Sequence, residues 1–84
     1  DAYRIQFIRE HLQQMRLAIT DGVQILGYCP WAAIDVVSTH QGYRKRYGFI
    51  YVDREEFDLK ELKRFRKDSF YWYANVILEN GQNL

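Results

Sequence analysis

The sequence predicts an α/β fold of which the chain carries one part, and three observations predict it. Apolar residues recur at helical spacing over the first twenty positions, and a tight turn then leads into a short, mostly apolar run. A helix followed directly by a buried strand is one unit of an alternating α/β architecture. That strand finds few companions in the rest of the chain, although a strand's backbone groups need partners. Finally, 48% of the 84 residues are hydrophobic, so seven Tyr, five Phe and two Trp call for a larger body to pack against. A domain of this size buries only about 60% of its unfolded surface.

The elements follow in order. Ile5, Ile8, Leu12, Met15 and Ile19 fall three or four residues apart and share one helix face, with Arg4, Arg9, Glu10 and Arg16 left to solvent. Asp21-Gly22 ends this helix, Gly22 suiting the left-handed position just past a helix. Residues 23–28 read as a buried strand, stopped by Cys29-Pro30 because proline donates nothing to a sheet ladder. Residues 31–41 are irregular, and Gly42 permits a turn. Residues 43–52 read as two short extended segments around Gly48, a hairpin-like excursion. Asp58, with Glu61 three residues on, forms a capping box for the last helix. Ser69, Trp72, Tyr73, Val76 and Ile77 line one face of that helix and Gly81 marks its end. This order suits the last third or less of a (β/α)8 barrel, an architecture of ~250 residues.

Composition narrows the classes of function. A net charge of +1 provides no global field to recruit nucleic acid or an acidic membrane. One Cys, Cys29, makes neither an internal disulfide nor a zinc site. No apolar run approaches the ~20 residues of a membrane span, and the opening Asp1-Ala2-Tyr3 resembles no signal peptide. It also lacks an initiator Met, in keeping with a fragment. The expectation is a soluble cytoplasmic protein. The basic run Lys60, Lys63, Arg64, Arg66 and Lys67 supports a different class, a small nucleic-acid-binding module, if it forms a stripe along a helix. Glu56, Glu61 and Asp68 interleave with it, which favours a solvated outer face.

The motifs carry more information. The stretch Gly27-Tyr28-Cys29-Pro30-Trp31-Ala32-Ala33-Ile34-Asp35 is similar to the end of the eighth barrel strand in glycoside hydrolase family 1. The run from Gly42 through Lys45-Arg46-Tyr47-Gly48-Phe49 to Asp53 resembles the segment that follows it there. Arg66-Lys67-Asp68-Ser69 with Trp72-Tyr73 looks like that family's final helix, and Asp1, Tyr3-Arg4-Ile5, His11-Leu12 and Ala18-Ile19 fit the helix before the eighth strand. The resemblance implies that residues 1–84 are the C-terminal fragment of a single barrel domain. Such a piece is incomplete as an isolated domain, and its exposed strand and apolar helix faces are expected to drive self-association.

Within that family, members acting on plain sugars use a Glu to bind outer hydroxyls, and the corresponding slot here is Ser38. The phospho-sugar branch has Ser at this place, followed by Lys and Tyr in a Lys-Arg-Tyr-Gly run, which Ser38, Lys45 and Tyr47 match. A carboxylate repels a sugar phosphate, whereas a hydroxyl does not. Lys45 and Tyr47 are two apart, so on an extended segment both point to one face, with Arg46 opposite. The resemblance therefore implies a 6-phospho-β-glucosidase, with Ser38, Lys45 and Tyr47 binding the substrate's 6-phosphate and Trp31 packing beneath the sugar ring. Phospho-galactosidases of the family have Trp directly after the Ser. Thr39 in that place favours the gluco substrate, and a 6-phospho-β-galactosidase is the alternative. No metal or organic cofactor is implied.

The resemblance also implies a retaining mechanism with two Glu residues about 5 Å apart. Their motifs, Thr-Glu-Asn-Gly and Asn-Glu-Pro, are absent here, so the isolated chain is expected to be inactive. Glu79-Asn80-Gly81 echoes the first by accident. Asp35 and Arg46 read as structural partners, His40 as a solvated loop residue, His11 as helix packing and Cys29 as a small buried residue.

Overall fold

A computed structural model describes residues 1–84. It contains a helix α1 (Ala2–Thr20), two short strands β1 (Ile50–Val52) and β2 (Arg64–Arg66), and a second helix α2 (Asp68–Leu78). The strands pair antiparallel, with Tyr51 opposite Phe65.

Helix α1 forms where the periodicity puts it. Ile8 and Leu12 are buried, with Ile5 and Met15 partly covered beside them. Its end is a Schellman motif: Gly22 takes φ +99°, its N–H donates to the carbonyl of Ile19, and the Val23 N–H donates to that of Ala18. Arg4 and Arg9 depart from the expectation of solvation. Arg4 bonds the Asp1 carboxylate and the Arg46 carbonyl, and Arg9 lies 5.3 Å over the Trp72 ring.

The expected buried strand over residues 23–28 does not form. Those residues belong to no strand or bridge, Leu26 is fully exposed and Val23 is 53% exposed. A strand exists only through its ladder, and no neighbouring strand of this chain lies beside it. Cys29, expected to be buried, is exposed with it.

The hairpin expected over residues 43–52 is also replaced. The 47–50 segment instead runs parallel to residues 32–35. Ala32 donates to Tyr47 (3.0 Å), Phe49 to Ala32 (3.1 Å), Ile50 to Ala33 (3.1 Å) and Asp35 to Ile50 (3.0 Å). β1 then continues into its pairing with β2, whose residues the Asp58–Glu61 capping pattern had assigned to a helix.

The final helix starts ten residues later than Asp58. Lys60 and Leu62 hold positive φ (46° and 55°), which no helix accommodates. The Asp58 carboxylate accepts the Lys60 N–H at 3.0 Å, closing a turn rather than capping a helix. The basic run consequently forms no helical stripe. Lys60 pairs with Asp53 and Glu55, Lys63 with Glu61, Arg64 and Arg66 sit on β2, and Lys67 turns inward.

α2 takes its N-terminal partner from the far end of the sequence. The Asp1 carboxylate accepts the Ser69 backbone N–H at 2.6 Å and the Ser69 hydroxyl at 3.1 Å, and Ser69 is completely buried. A carboxylate at a helix N-terminus satisfies a free N–H and complements the helix dipole. Along α2, Val76 is buried and Trp72 and Tyr73 are half-buried, while Ile77 stays 65% exposed. A second Schellman motif closes it, with Asn80 in the left-handed position, which explains the Glu79-Asn80-Gly81 sequence as a helix stop.

The core is small. Ile8, Leu12, Phe49 and Val76 form it, with Phe49 stacked on Tyr73 at 5.0 Å between ring centroids. Only 10 of 84 residues are buried, and the radius of gyration is 15.1 Å, against ~12 Å for a compact chain of this length. An open groove of ≈ 520 Å³ between α1 and α2, lined by Leu12, Met15, Ile19, Tyr28, Val76 and Leu84 among others, is left unfilled. The 84-residue chain on its own is therefore expected to self-associate through these apolar faces. Sedimentation velocity checks this, and a single monomer boundary with cooperative unfolding would contradict it. No helix is long and apolar enough to cross a membrane.

Candidate functional site

The loop that follows residues 32–35 turns back sharply. Ser38 and Gly42 exchange backbone hydrogen bonds of 2.7 and 3.1 Å, forming an isolated antiparallel bridge. The Ser38 hydroxyl oxygen accepts the N–H groups of His40 (3.3 Å) and Gln41 (3.2 Å), which fixes its direction. Gly42 has φ +59°, and a Cβ there would fall 2.2 Å from the Glu56 carboxylate, which accepts the Tyr43 N–H at 3.2 Å. Arg54 stacks 3.8 Å over the Tyr43 ring, so the 54–56 turn clamps this loop from outside.

The residues singled out in the sequence gather here. The Tyr47 hydroxyl donates to the Ser38 hydroxyl oxygen at 3.3 Å, and the Lys45 ammonium lies 5.5 Å from the centre of the Tyr47 ring. Ser38 is buried, Tyr47 half-buried and Lys45 exposed. Trp31 is 71% exposed and lines, with Lys45 and Tyr47, a cleft of ≈ 380 Å³ that also includes Tyr3, Phe7 and Pro30. Two hydroxyls and one ammonium on one loop surface make a donor set suited to an anion. His40 is exposed beside it, and the His11 Nδ1–H donates to the Phe7 carbonyl of α1 at 2.8 Å. Nowhere do His, Cys, Asp and Glu side chains gather into a set able to hold a metal ion.

Beneath this loop lies a charge centre that the sequence showed only as a pair. The Asp35 side chain is 1% exposed and receives Lys67 at 2.8 Å, the Gly48 N–H at 3.0 Å, the Val52 N–H at 3.3 Å and Arg46 at 3.4 Å. Burial pushes the Asp35 carboxyl up, but the Lys67 ammonium and the two backbone donors outweigh it and hold its pKa below the ordinary value. Burial lowers the Lys67 pKa despite its bond to Asp35, with Arg4 and Arg46 adding repulsion. Arg46 reaches past Asp35 to donate to the carbonyls of Val52 and Arg54, and lies 4.5 Å from the Tyr51 ring centre. Lys67, placed by its neighbours on a basic helix face, gave no signal in the sequence that it would be drawn inward.

The family model described as Glycosyl hydrolase family 1 matches residues 1–82, and the chain belongs to that family. It is 54% identical over 84 residues to the aryl-phospho-beta-D-glucosidase BglC of Bacillus subtilis (strain 168), with all of the chain and 18% of that relative aligned. It is 48% identical over 85 residues to the 6-phospho-beta-glucosidase AscB of Escherichia coli (strain K12), again over the whole chain and 18% of the relative. A solved family 1 β-glucosidase from Thermotoga maritima superposes with a TM-score of 0.85 at 41% identity, covering 96% of this chain and 17% of that one. The chain thus spans less than a fifth of the length of the relatives it matches.

Proposed function

We propose that the chain is the phosphate-binding segment of a retaining 6-phospho-β-glucosidase, which hydrolyses 6-phospho-β-D-glucosides to glucose 6-phosphate and an aglycone. The observation that carries this reading is the contact between the Ser38 and Tyr47 hydroxyls, with the Lys45 ammonium 5.5 Å from the centre of the Tyr47 ring. The names of relatives at 54% and 48% identity, which specify phosphorylated glucosides, support it.

In this reading Ser38 and Tyr47 donate hydroxyl hydrogens to phosphate oxygens: Tyr47 gives up its bond to the Ser38 oxygen, and the Ser38 hydroxyl hydrogen, unused in that bond, donates directly. Lys45 supplies the opposing charge. A phosphate monoester carries about −1.5 to −2 charges at neutral pH, and a charge-assisted contact contributes about 1.5–3 kcal/mol. Trp31 offers an aromatic face to the sugar ring above the cleft. Holding both ends of the sugar places the anomeric carbon before two carboxylates supplied from outside this chain, one as nucleophile and one as acid/base. The 84-residue chain alone is expected to be catalytically inactive. Residues 1–84 then correspond to the C-terminal part of one (β/α)8 barrel domain, at whose strand ends such sites lie.

The test compares three chromogenic substrates with the full-length enzyme: the 6-phospho-β-glucoside, its galactoside epimer and the unphosphorylated glucoside. Strong preference for the first is expected. Lys45→Ala is expected to lower kcat/KM for the phosphorylated glucoside roughly ten- to hundred-fold relative to the unphosphorylated one. Equal losses on both substrates would remove Lys45 from the site, and a wild-type enzyme indifferent to phosphate would remove the reading altogether. A preference for the galactoside would leave the phosphate site standing and discard Thr39 as the discriminator.

A further inference from the structure

Lys45 and Tyr47 bear the chemistry of the proposed site, yet the residue between them makes the most bonds. The Arg46 guanidinium donates to the carbonyls of Val52 and Arg54 and pairs with buried Asp35. Its own carbonyl accepts the Arg4 guanidinium from α1. On either side of that carbonyl the backbone is tied again: the Tyr47 carbonyl accepts the Ala32 N–H at 3.0 Å, and the Gly48 N–H donates to Asp35 at 3.0 Å. Lys45, by contrast, is exposed and forms no ion pair. An extended segment alternates its side chains between two faces, so its rotation about its own axis decides which residues meet the ligand. Arg46, bound at several points, fixes the backbone on either side of it, and the Lys45 ammonium and Tyr47 ring lie together beside that fixed point.

We infer that Arg46 is a positioning residue for phosphate selectivity, acting through Lys45 and Tyr47, with Arg4 bracing it from α1. The inference rests on the phosphate-binding reading above. The planar guanidinium suits the role because its fork of N–H groups reaches two carbonyls and a carboxylate at once, which a lysine ammonium cannot reproduce in that geometry. Arg46→Lys is therefore a disruptive change despite keeping the charge.

The experiment measures kcat and KM of the full-length enzyme on the 6-phospho-β-glucoside and the unphosphorylated glucoside, for Arg46→Met, Arg46→Lys, Lys45→Ala and the double variant Lys45→Ala/Arg46→Met. Arg46→Met is expected to lower the phosphorylated-to-unphosphorylated ratio of kcat/KM at least ten-fold, the loss lying in KM for the phosphorylated substrate. Arg46→Lys is expected to lower it in the same direction. The double variant is expected to lose less than the product of the single losses, because one residue acts through the other. Proportionate losses on both substrates, or independent effects in the double variant, would overturn the positioning role. If the wild-type ratio shows no preference for phosphate, the phosphate reading itself fails; if Lys45→Ala lowers the ratio and Arg46→Met does not, only this inference fails. Should Arg46→Met not accumulate in folded form, Arg4→Met, which removes the brace on the Arg46 carbonyl, is judged by the same ratio.

Discussion

Replacing Asp35 with alanine is expected to destabilise the full-length enzyme by about 3–5 kcal/mol, the range for breaking a buried ion pair from one side. The size follows from what remains behind. Lys67 and Arg46, whose side chains are 13% and 22% exposed, keep their charges without the carboxylate that compensates them. The Gly48 and Val52 N–H groups lose their acceptor in a buried place, each at a cost of about 1–3 kcal/mol if unmet. Asp35→Asn retains the shape and one acceptor oxygen, so a smaller loss is expected. Its pH dependence supplies a sharper check. The folded pKa of Asp35 lies below the ordinary value, so its contribution is complete above about pH 4. It disappears as pH falls through the depressed value. The stability gap between wild type and Asp35→Asn, measured by denaturant unfolding, is expected to be constant near neutrality and to close only in that acid range. A gap that closes above pH 5 would contradict a depressed pKa.

The second large effect is expected at Gly48. A Cβ built there would stand 2.1 Å from the Ile34 carbonyl carbon and 2.3 Å from the Asp35 nitrogen. Both are backbone atoms, which cannot swing aside as a side chain does. Gly48→Ala must therefore separate the 47–50 segment from residues 32–35 and weaken the bonds that join them. Overpacking typically costs about 1–3 kcal/mol, more where backbone must move. The outcome expected is a melting temperature lower by several degrees together with reduced use of the phosphorylated substrate, since the displaced segment carries Lys45 and Tyr47. Gly42→Ala differs in kind: its Cβ would meet only the movable end of the Glu56 side chain, and its cost comes instead from φ +59°, which L side chains rarely adopt. A Gly48→Ala enzyme as stable as wild type would show that the close approach is absent in solution.

How much of this could be read in the sequence differs by element. α1 and its Gly22 stop were legible because periodicity and a left-handed cap are local properties. The gathering of Ser38, Lys45 and Tyr47 was legible because a short loop with a turn at Gly42 leaves few other arrangements, and because the family motif named the same positions. The strand at residues 23–28 was misread as buried because its sequence describes an environment this chain does not contain. The late start of α2 was hidden because Asp58 and Glu61 satisfy a capping pattern, while the backbone at Lys60 and Leu62 takes left-handed angles that composition does not announce. Lys67 looked like one more surface cation. Its inward turn depends on a carboxylate 32 positions away, a relation that only the folded chain displays.

The bond from Asp1 to Ser69 has a consequence for the loop it spans. It joins groups 68 positions apart, and through Arg4 the same first turn of α1 braces the Arg46 carbonyl. Everything between forms a closed ring whose seam is one carboxylate and one guanidinium. Closing so long a ring costs chain entropy before it returns any contact, so the bond from Asp1 to Ser69 draws on the packing of both helices that it joins. The shape of the loop that carries Lys45 and Tyr47 is thus held by residues far from it in sequence as well as by its own.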